Sequence, residues 1–192
     1  MSSGPQPGRI ELIVLVDEQG KPVGQAEKWS SHHLETPLHL AFSCYVFDDL
    51  GRLLVTQRAT GKKVWPGVWT NSVCGHPQPG ESIEDAIHRR LDYELGMTAE
   101  GLKVVLPDYR YQAPPFDGVV ENEYCPVYLA RATSDPHPNP EEVEGYEWLP
   151  WSEFVRRTQA DAAGRYSWWC KDQTARLRAT EMLRSRMGSS KA

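Results

Sequence analysis

The 192-residue sequence has no long apolar run, no C-x-x-C pair and no surplus of positive charge. Each absence narrows what the chain can do. Without a stretch of roughly 18 consecutive apolar residues, no membrane-spanning helix is expected. The four cysteines, Cys44, Cys74, Cys125 and Cys170, are widely spread and read as free thiols rather than a disulfide framework. Lys and Arg total 21 against 26 Asp and Glu, a formal charge of -5, which disfavours nonspecific nucleic-acid binding. An anionic ligand would have to be met by a local cluster of cations or by a metal ion. The opening MSSGPQPG has neither a basic start nor an apolar run, so residues 1–8 read as a disordered lead-in and a cytoplasmic protein is expected.

What is present fits one soluble domain, expected over 9–187 with a flexible tail at 188–192. At 40% apolar residues and a mean hydropathy of -0.56, the chain can bury a sizeable core. Arg9 to Val16 (RIELIVLV) is strand-like. The run LHLAFSCYVF alternates, placing His39, Ala41, Ser43 and Tyr45 on one face of an expected strand. The Asp48 to Gly51 turn and Arg52 to Arg58 complete a hairpin, followed by a basic loop with Lys62 and Lys63. Val119 to Ala130 reads as one strand with Glu121 and Glu123 on one face, a pair whose repulsion protonation or a cation must relieve. Ser152 can cap a short helix to Thr158, and a longer helix is expected from Tyr166 toward Met187, bearing Trp168 and Trp169. The order of elements predicts an α+β fold, a mixed-sheet sandwich with helices on both sides and extra C-terminal helices.

The stretch 66–97, PGVWTNSVCGHPQPGESIEDAIHRRLDYELGM, organises the rest. Strand-like residues give way to Gly75, Pro77, Pro79 and Gly80, and a helix is expected over Glu81 to Met97. At about 100° per residue, Ile83, Ile87 and Leu91 form an apolar stripe with Arg90 and Glu94 in its middle. Inward charges are costly unless paired or bound to metal. A salt bridge one turn apart and a metal-diphosphate site facing the sheet both answer that requirement.

The spacing of Gly75, Glu81, Arg89, Leu91, Glu94, Gly96 and Met97 resembles the Nudix box, G-x5-E-x7-R-E-U-x-E-E-x-G-U with U aliphatic. Arg90 and Tyr93 stand where that box has two helix glutamates, and a Nudix hydrolase uses those carboxylates to assemble metals. Their replacement argues against hydrolysis, while Glu94 can still hold one ion. The words His39-Leu40-Ala41-Phe42, Trp65 to Pro77 (WPGVWTNSVCGHP) and Glu121-Asn122-Glu123 resemble type 1 isopentenyl-diphosphate delta-isomerases, enzymes of the Nudix fold. The likeness runs roughly from Leu12 to Leu183.

The resemblance implies conversion of isopentenyl to dimethylallyl diphosphate, with a diphosphate ester as the small-molecule partner. It implies Cys74 as a catalytic acid/base on one face of the substrate, and Glu123 opposite it, supported by the Tyr111 hydroxyl. Cys74 is expected near a helix N-terminus, where its pKa would fall and a thiolate form. The metal set implied is His32, His39, His76, Glu121 and Glu123, whose mixed nitrogen and oxygen donors suit zinc or manganese. A second ion, magnesium, would lie between Glu94, the diphosphate and the main-chain carbonyl of Cys74. Lys28, Arg58, Lys62 and Arg90 are implied diphosphate contacts, and Trp169 an aromatic face for a carbocation. Two other readings share parts of this pattern, a Nudix pyrophosphohydrolase and a catalytically silent binding module, and oligomeric state is open in all three.

Overall fold

The computed structural model describes residues 11–178, in which the chain forms β1 (Leu12–Val16), β2 (Pro22–Glu27), α1 (Lys28–Ser31), β3 (His39–Leu40), β4 (Phe42–Phe47), β5 (Arg52–Arg58), β6 (Trp69–Thr70), β7 (Val73–Gly75) and α2 (Ile83–Leu95). There follow β8 (Ala99–Leu106), β9 (Arg110–Gln112), β10 (Asn122–Tyr124), β11 (Val127–Ala132), β12 (Val143–Pro150), α3 (Trp151–Gln159) and α4 (Trp168–Leu177). One sheet has the order β2-β1-β3-β10-β9 and the other β12-β5-β4-β11-β8, with β6 beside β5 and β7 beside β4.

Two runs expected as single strands each divide between the sheets. The alternating run from His39 becomes β3 in the first sheet and β4 in the second, and the run from Val119 becomes β10 and β11. Pro126, which has no N–H to offer a ladder, stands in the second break. Both breaks fall at the same level, because β3 pairs with β10 and β4 with β11, each in parallel. Across the seam the Ala41 N–H donates to Tyr124 O at 2.9 Å and the Ser43 N–H to Pro126 O at 3.2 Å. Two neighbouring strands thus leave one sheet together, and the sheets diverge around a cleft.

Every residue of β4 is buried, which follows from helices covering both faces of its sheet. Phe42, Cys44 and Val46 pack with Ala86, Ile87, Leu91 and Leu95 of α2. Tyr45 and Phe47 pack on the other side with Trp151 and Phe154 of α3 and with Trp169, Cys170 and Leu177 of α4. Each such aliphatic or aromatic side chain contributes about 1.5–3 kcal/mol by leaving water.

Helix α2 is shorter than the expected Glu81 to Met97. Ser82 caps its start by accepting from the Asp85 N–H at 3.0 Å. Gly96 ends it at φ 53, and a Cβ there would lie 2.8 Å from His137 O, so glycine is required twice over. Ser152 does not cap α3: the helix starts at Trp151, with Pro150 in the N-cap position and no side-chain cap. Ser167 caps α4 through the Cys170 N–H. The expected extension of that last helix toward Met187, the start of the first strand at Arg9, and the two terminal tails lie outside the described residues. No helix among the described residues is long and apolar enough to cross a membrane.

Candidate active site

Strand register lines up one corner of the cleft. Glu123 on β10 is the partner of His39 on β3 and of Tyr111 on β9, so the three stand in one row across the first sheet. His32 follows α1, His76 follows β7 and Glu121 immediately precedes β10. Donor atoms of His32, His39, His76 and Glu121 all lie within 4.8 Å of one another. Glu123 Oε1 is 3.0 Å from His76 Nε2 and 3.9 Å from His39 Nε2.

The ring tautomers are set by neighbours. His32 Nδ1 lies 2.5 Å from Lys28 O and His39 Nδ1 2.9 Å from Pro37 O. A carbonyl can only accept, so both rings carry a proton on Nδ1; His39, held neutral, turns an Nε2 lone pair inward, while at His32 burial is outweighed by Glu121 beside Nε2, which raises that ring's pKa. His39 Nε2 faces His76 Nε2 at 3.2 Å. His32 Nε2 and Glu121 Oε2 are buried without a hydrogen bond and face each other at 3.4 Å. Burial holds His39 down to about 4 and His76 to about 3, keeping both imidazoles neutral. The two carboxyls are driven apart: burial is outweighed at Glu121 by His32 and the neighbouring rings, while burial and the Glu121 charge raise Glu123. Four converging donor atoms, a buried oxygen and nitrogen without hydrogen bonds, and two imidazoles held neutral fit a divalent cation.

The cavity wall also carries cations, Lys28 from α1, which His32 follows, Lys62 from the loop after β5 and Arg90 from α2. Lys28 Nζ is 2.8 Å from Glu11 Oε1, and Lys62 Nζ is 2.5 Å from Glu142 Oε2. Arg90 donates through Nε to Glu94 Oε1 at 2.7 Å and through Nη2 to Glu142 Oε2 at 3.1 Å. The one-turn salt bridge is therefore present, and both partners also line the cavity. Gly75 makes this possible, since a Cβ there would press on Arg90 Cγ at 3.1 Å and on the Phe42 ring at 3.3 Å. Arg58 spends two donors on the Trp65 and Val64 carbonyls, at 3.1 and 3.0 Å. Glu81 pairs with Arg89 at 2.6 Å, and Arg89 Nη2 reaches His76 O at 3.2 Å, anchoring the glycine loop that carries His76.

Cys74 on β7 sits opposite Ser43 on β4, at the seam between these two groups. Its Sγ is 3.1 Å from Asn71 Oδ1 and 3.4 Å from Ser43 Oγ. The Asn71 amide nitrogen donates to Cys44 O and Val73 O, which turns its oxygen toward the thiol. The expectation of a lowered thiol pKa is corrected here. Burial pushes Cys74 up to about 11, and α2 begins only at Ile83, beyond the glycine loop, so the thiol stays protonated at neutral pH. Trp169 Nε1 donates to Thr70 Oγ1 at 3.1 Å, and its ring lies edge-on to Trp65 at 5.5 Å and tilted against Tyr111 at 6.3 Å.

One cavity of about 380 Å³ is lined by Lys28, His32, Arg58, Lys62, Cys74, His76, Arg90, Glu94, Tyr111, Glu121, Glu123 and Trp169. Of the candidate residues only His39 is not on its surface; it is fully buried behind the other rings. Lys63, from the same basic loop as Lys62, places Nζ 4.1 Å from the Trp29 ring, and both residues line the cavity. Sequence reasoning missed Glu11, Ser43, Asn71 and Glu142. Asn71 could have been found by its place three residues before Cys74. Nothing local marks Glu11 or Glu142, whose cationic partners are 17, 80 and 52 residues away.

Comparison with known proteins decides the family. The NUDIX domain family matches residues 37–169. Isopentenyl-diphosphate Delta-isomerase of Mycolicibacterium vanbaalenii is 49% identical over 175 residues, covering 91% of this chain and 96% of that protein. The protein of the same name from Citrobacter koseri is 51% identical over 174 residues, with the same coverage of 91% and 96%. The chain belongs to the isopentenyl-diphosphate Delta-isomerase family. Among solved structures, a Deinococcus radiodurans protein aligns at TM-score 0.67 and 23% identity, over 86% of this chain and 98% of its own. A MutT protein from Methanosarcina mazei aligns at TM-score 0.56 and 14% identity, over 75% and 97%. At those identities the structures speak for the fold alone, and they agree with the family in making it a Nudix sandwich with helices on both sides.

Proposed function

We propose that this chain interconverts isopentenyl and dimethylallyl diphosphate, moving the terminal double bond one position inward. The observation that carries this reading is a thiol and a carboxyl, Cys74 and Glu123, brought by different sheets to one cavity whose wall also holds Lys28, Lys62 and Arg90. Such a site offers two separate proton-handling groups and a cationic seat for a diphosphate.

The chemistry needs a proton added to the terminal alkene carbon and another removed from the carbon on the far side of the tertiary cation so formed. Glu123, with Tyr111 beside it in register, handles the proton at the terminal carbon. Cys74 takes the proton leaving from the opposite face in its thiolate form, the minor form in the unliganded protein, and ends as the thiol. Ser43 Oγ accepts from Gln173 Nε2 at 2.9 Å and lies 3.4 Å from Cys74 Sγ, so its hydroxyl hydrogen can turn to that thiolate before the proton arrives. The Trp169 ring attracts a cation without acting as a base. Trp65, Tyr111 and Trp169 exclude water, which would otherwise capture the cation.

His32, His39, His76, Glu121 and Glu123 would hold a zinc or manganese ion, and Glu94 with the Cys74 carbonyl would share a magnesium ion with the diphosphate. Bound there, the first ion supplies a fixed orientation and a tuned acidity to Glu123, and the second neutralises phosphate charge. Glu94 by itself is one carboxylate already paired with Arg90, so the magnesium reading depends on the diphosphate as co-ligand. A cytoplasmic reaction with no nucleic-acid partner belongs to the same reading, in keeping with free thiols and an acidic chain. Incubating the protein with isopentenyl diphosphate, magnesium and zinc or manganese, and following both allylic product and released phosphate, tests it. Allylic product without phosphate is expected, and phosphate without allylic product would favour a hydrolase.

A further inference from the structure

Glu142 has no part in the chemistry above, yet it reaches into the same cavity from the loop just before β12. One of its oxygens, Oε2, accepts from Lys62 Nζ at 2.5 Å and from Arg90 Nη2 at 3.1 Å. Its main chain is tied down too: the N–H donates to Asn139 O at 3.0 Å and the carbonyl accepts from the Ala59 N–H at 3.0 Å. A single residue therefore joins the loop after β5, the helix α2 and the loop before β12. Long cationic side chains lose much rotamer freedom when fixed, and a ligand that must order them binds more weakly than one that finds them ordered. The Glu142 side chain is only 12% exposed, so water screens these contacts little. Arg90 is held besides by Glu94, whereas Lys62 has no other carboxylate within ion-pair distance among the described residues.

We propose that Glu142 is a positioning residue for the diphosphate subsite, holding the Lys62 ammonium and the Arg90 guanidinium toward the cavity before the ligand arrives. The identity of the diphosphate ester rests on the isomerase reading; the subsite can be probed without it. A carboxylate that merely competed with the ligand for the same cations would act in the opposite direction. Removing a competitor tightens anion binding, whereas removing a positioning group loosens it.

The test uses the full chain with Glu142→Gln, which keeps shape and loses charge, and Glu142→Asp, which keeps charge and shortens reach. Magnesium pyrophosphate affinity is read by calorimetry, kcat and KM with isopentenyl diphosphate, and folding by thermal melts. Glu142→Gln should weaken pyrophosphate about tenfold and raise KM by a similar factor, with kcat within about twofold of wild type. Glu142→Asp should fall between the two. In a Lys62→Ala background, Glu142→Gln should add less than about threefold, because one of the groups it positions is gone. Unchanged or tighter pyrophosphate binding, or a full tenfold loss in the Lys62→Ala background, would overturn the proposal. If Glu142→Gln does not fold, the Glu142→Asp titration decides it by the same criteria. Wild-type protein that binds pyrophosphate without isomerising the ester would sink the isomerase reading and leave this one standing.

Discussion

At one corner of the cavity, His32, His39, His76 and Glu121 bring donor atoms within 4.8 Å of one another and leave two of them, His32 Nε2 and Glu121 Oε2, buried without a hydrogen bond, whereas Lys28, Lys62 and Arg90 are each already paired with a carboxylate. His39, His76 and Glu121 ride on strands and strand ends, and His32 closes the short helix that Lys28 opens; Lys62 is carried by a loop and Arg90 by α2. A buried acceptor without a partner costs about 1–3 kcal/mol; the Glu121 carboxylate offsets part of that through His32 at 3.4 Å, and a cation in the corner would offset the rest. The cationic side carries no such deficit. A diphosphate there has to exchange one anion for another, so its affinity depends on how well the cations are aimed rather than on how many there are. Cys74 stands between the two at the seam of the sheets and belongs to neither.

That separation is open to attack. Cys74→Ala removes the group between the two sides and should have the largest effect, a loss of turnover of about 10³-fold or more. Divalent-ion and pyrophosphate affinities, both measured by calorimetry, should stay within about twofold. A fall in either affinity that matched the fall in rate would make Cys74 part of one wall and erase the distinction.

Glu123→Gln strikes the corner alone. Turnover should again be lost, and the affinity for zinc or manganese should drop about 10–100-fold, as when a ligand or its orienting partner is removed. Pyrophosphate binding should not change, since Glu123 touches His76 and His39 but not Lys28, Lys62 or Arg90. Wild-type metal affinity in this variant would remove Glu123 from the ligand set.

The thiol itself can be read by alkylation of the metal-free protein. With burial holding Cys74 near 11, about one thiol in a thousand is ionised at pH 8. The sign follows directly: thiolate increases with pH, so the iodoacetamide rate, followed by mass spectrometry, should climb about tenfold per unit through pH 9 and 10. A rate that levelled off below pH 8 would restore the reactive thiolate expected from the neighbouring glycine loop.

Much of this was readable from residue order, and what was not has a physical reason. The glycine loop and helix at 75–96 announce themselves through turn residues and 3.6-residue periodicity, both local signals. The catalytic and metal candidates are legible because they sit in words specific to one family. The two strand breaks were not foreseen, because Ala41 interrupts no alternation and Pro126 could equally have marked an edge strand. Those breaks depend on pairing between residues 39–47 and 123–131, a long-range property. Glu11 and Glu142 escaped for the same reason, since an isolated glutamate acquires its meaning only when folding delivers a lysine or arginine to it. The thiol was misjudged because a glycine loop and helix seen in sequence do not say how deeply the strand before them is buried.

The aromatic wall offers the mildest test. Trp169 is anchored by its Nε1 hydrogen bond to Thr70 and packed edge-on to Trp65, so its position depends on both a polar and an apolar contact. Phenylalanine keeps a π face but loses the anchor and some area, while alanine loses the face and opens a void. If the ring stabilises a cation, Trp169→Phe should slow turnover only several-fold and Trp169→Ala by a further factor of about ten or more, with a cation–π contact near 2 kcal/mol when water is excluded. Pyrophosphate affinity should be the same in both if the ring faces the hydrocarbon end, since pyrophosphate has no such end to meet it. If both variants instead lost stability in thermal melts while keeping wild-type kcat, Trp169 would be a core residue that happens to border the cavity. The wall between the two charged sides would then serve only to keep water out.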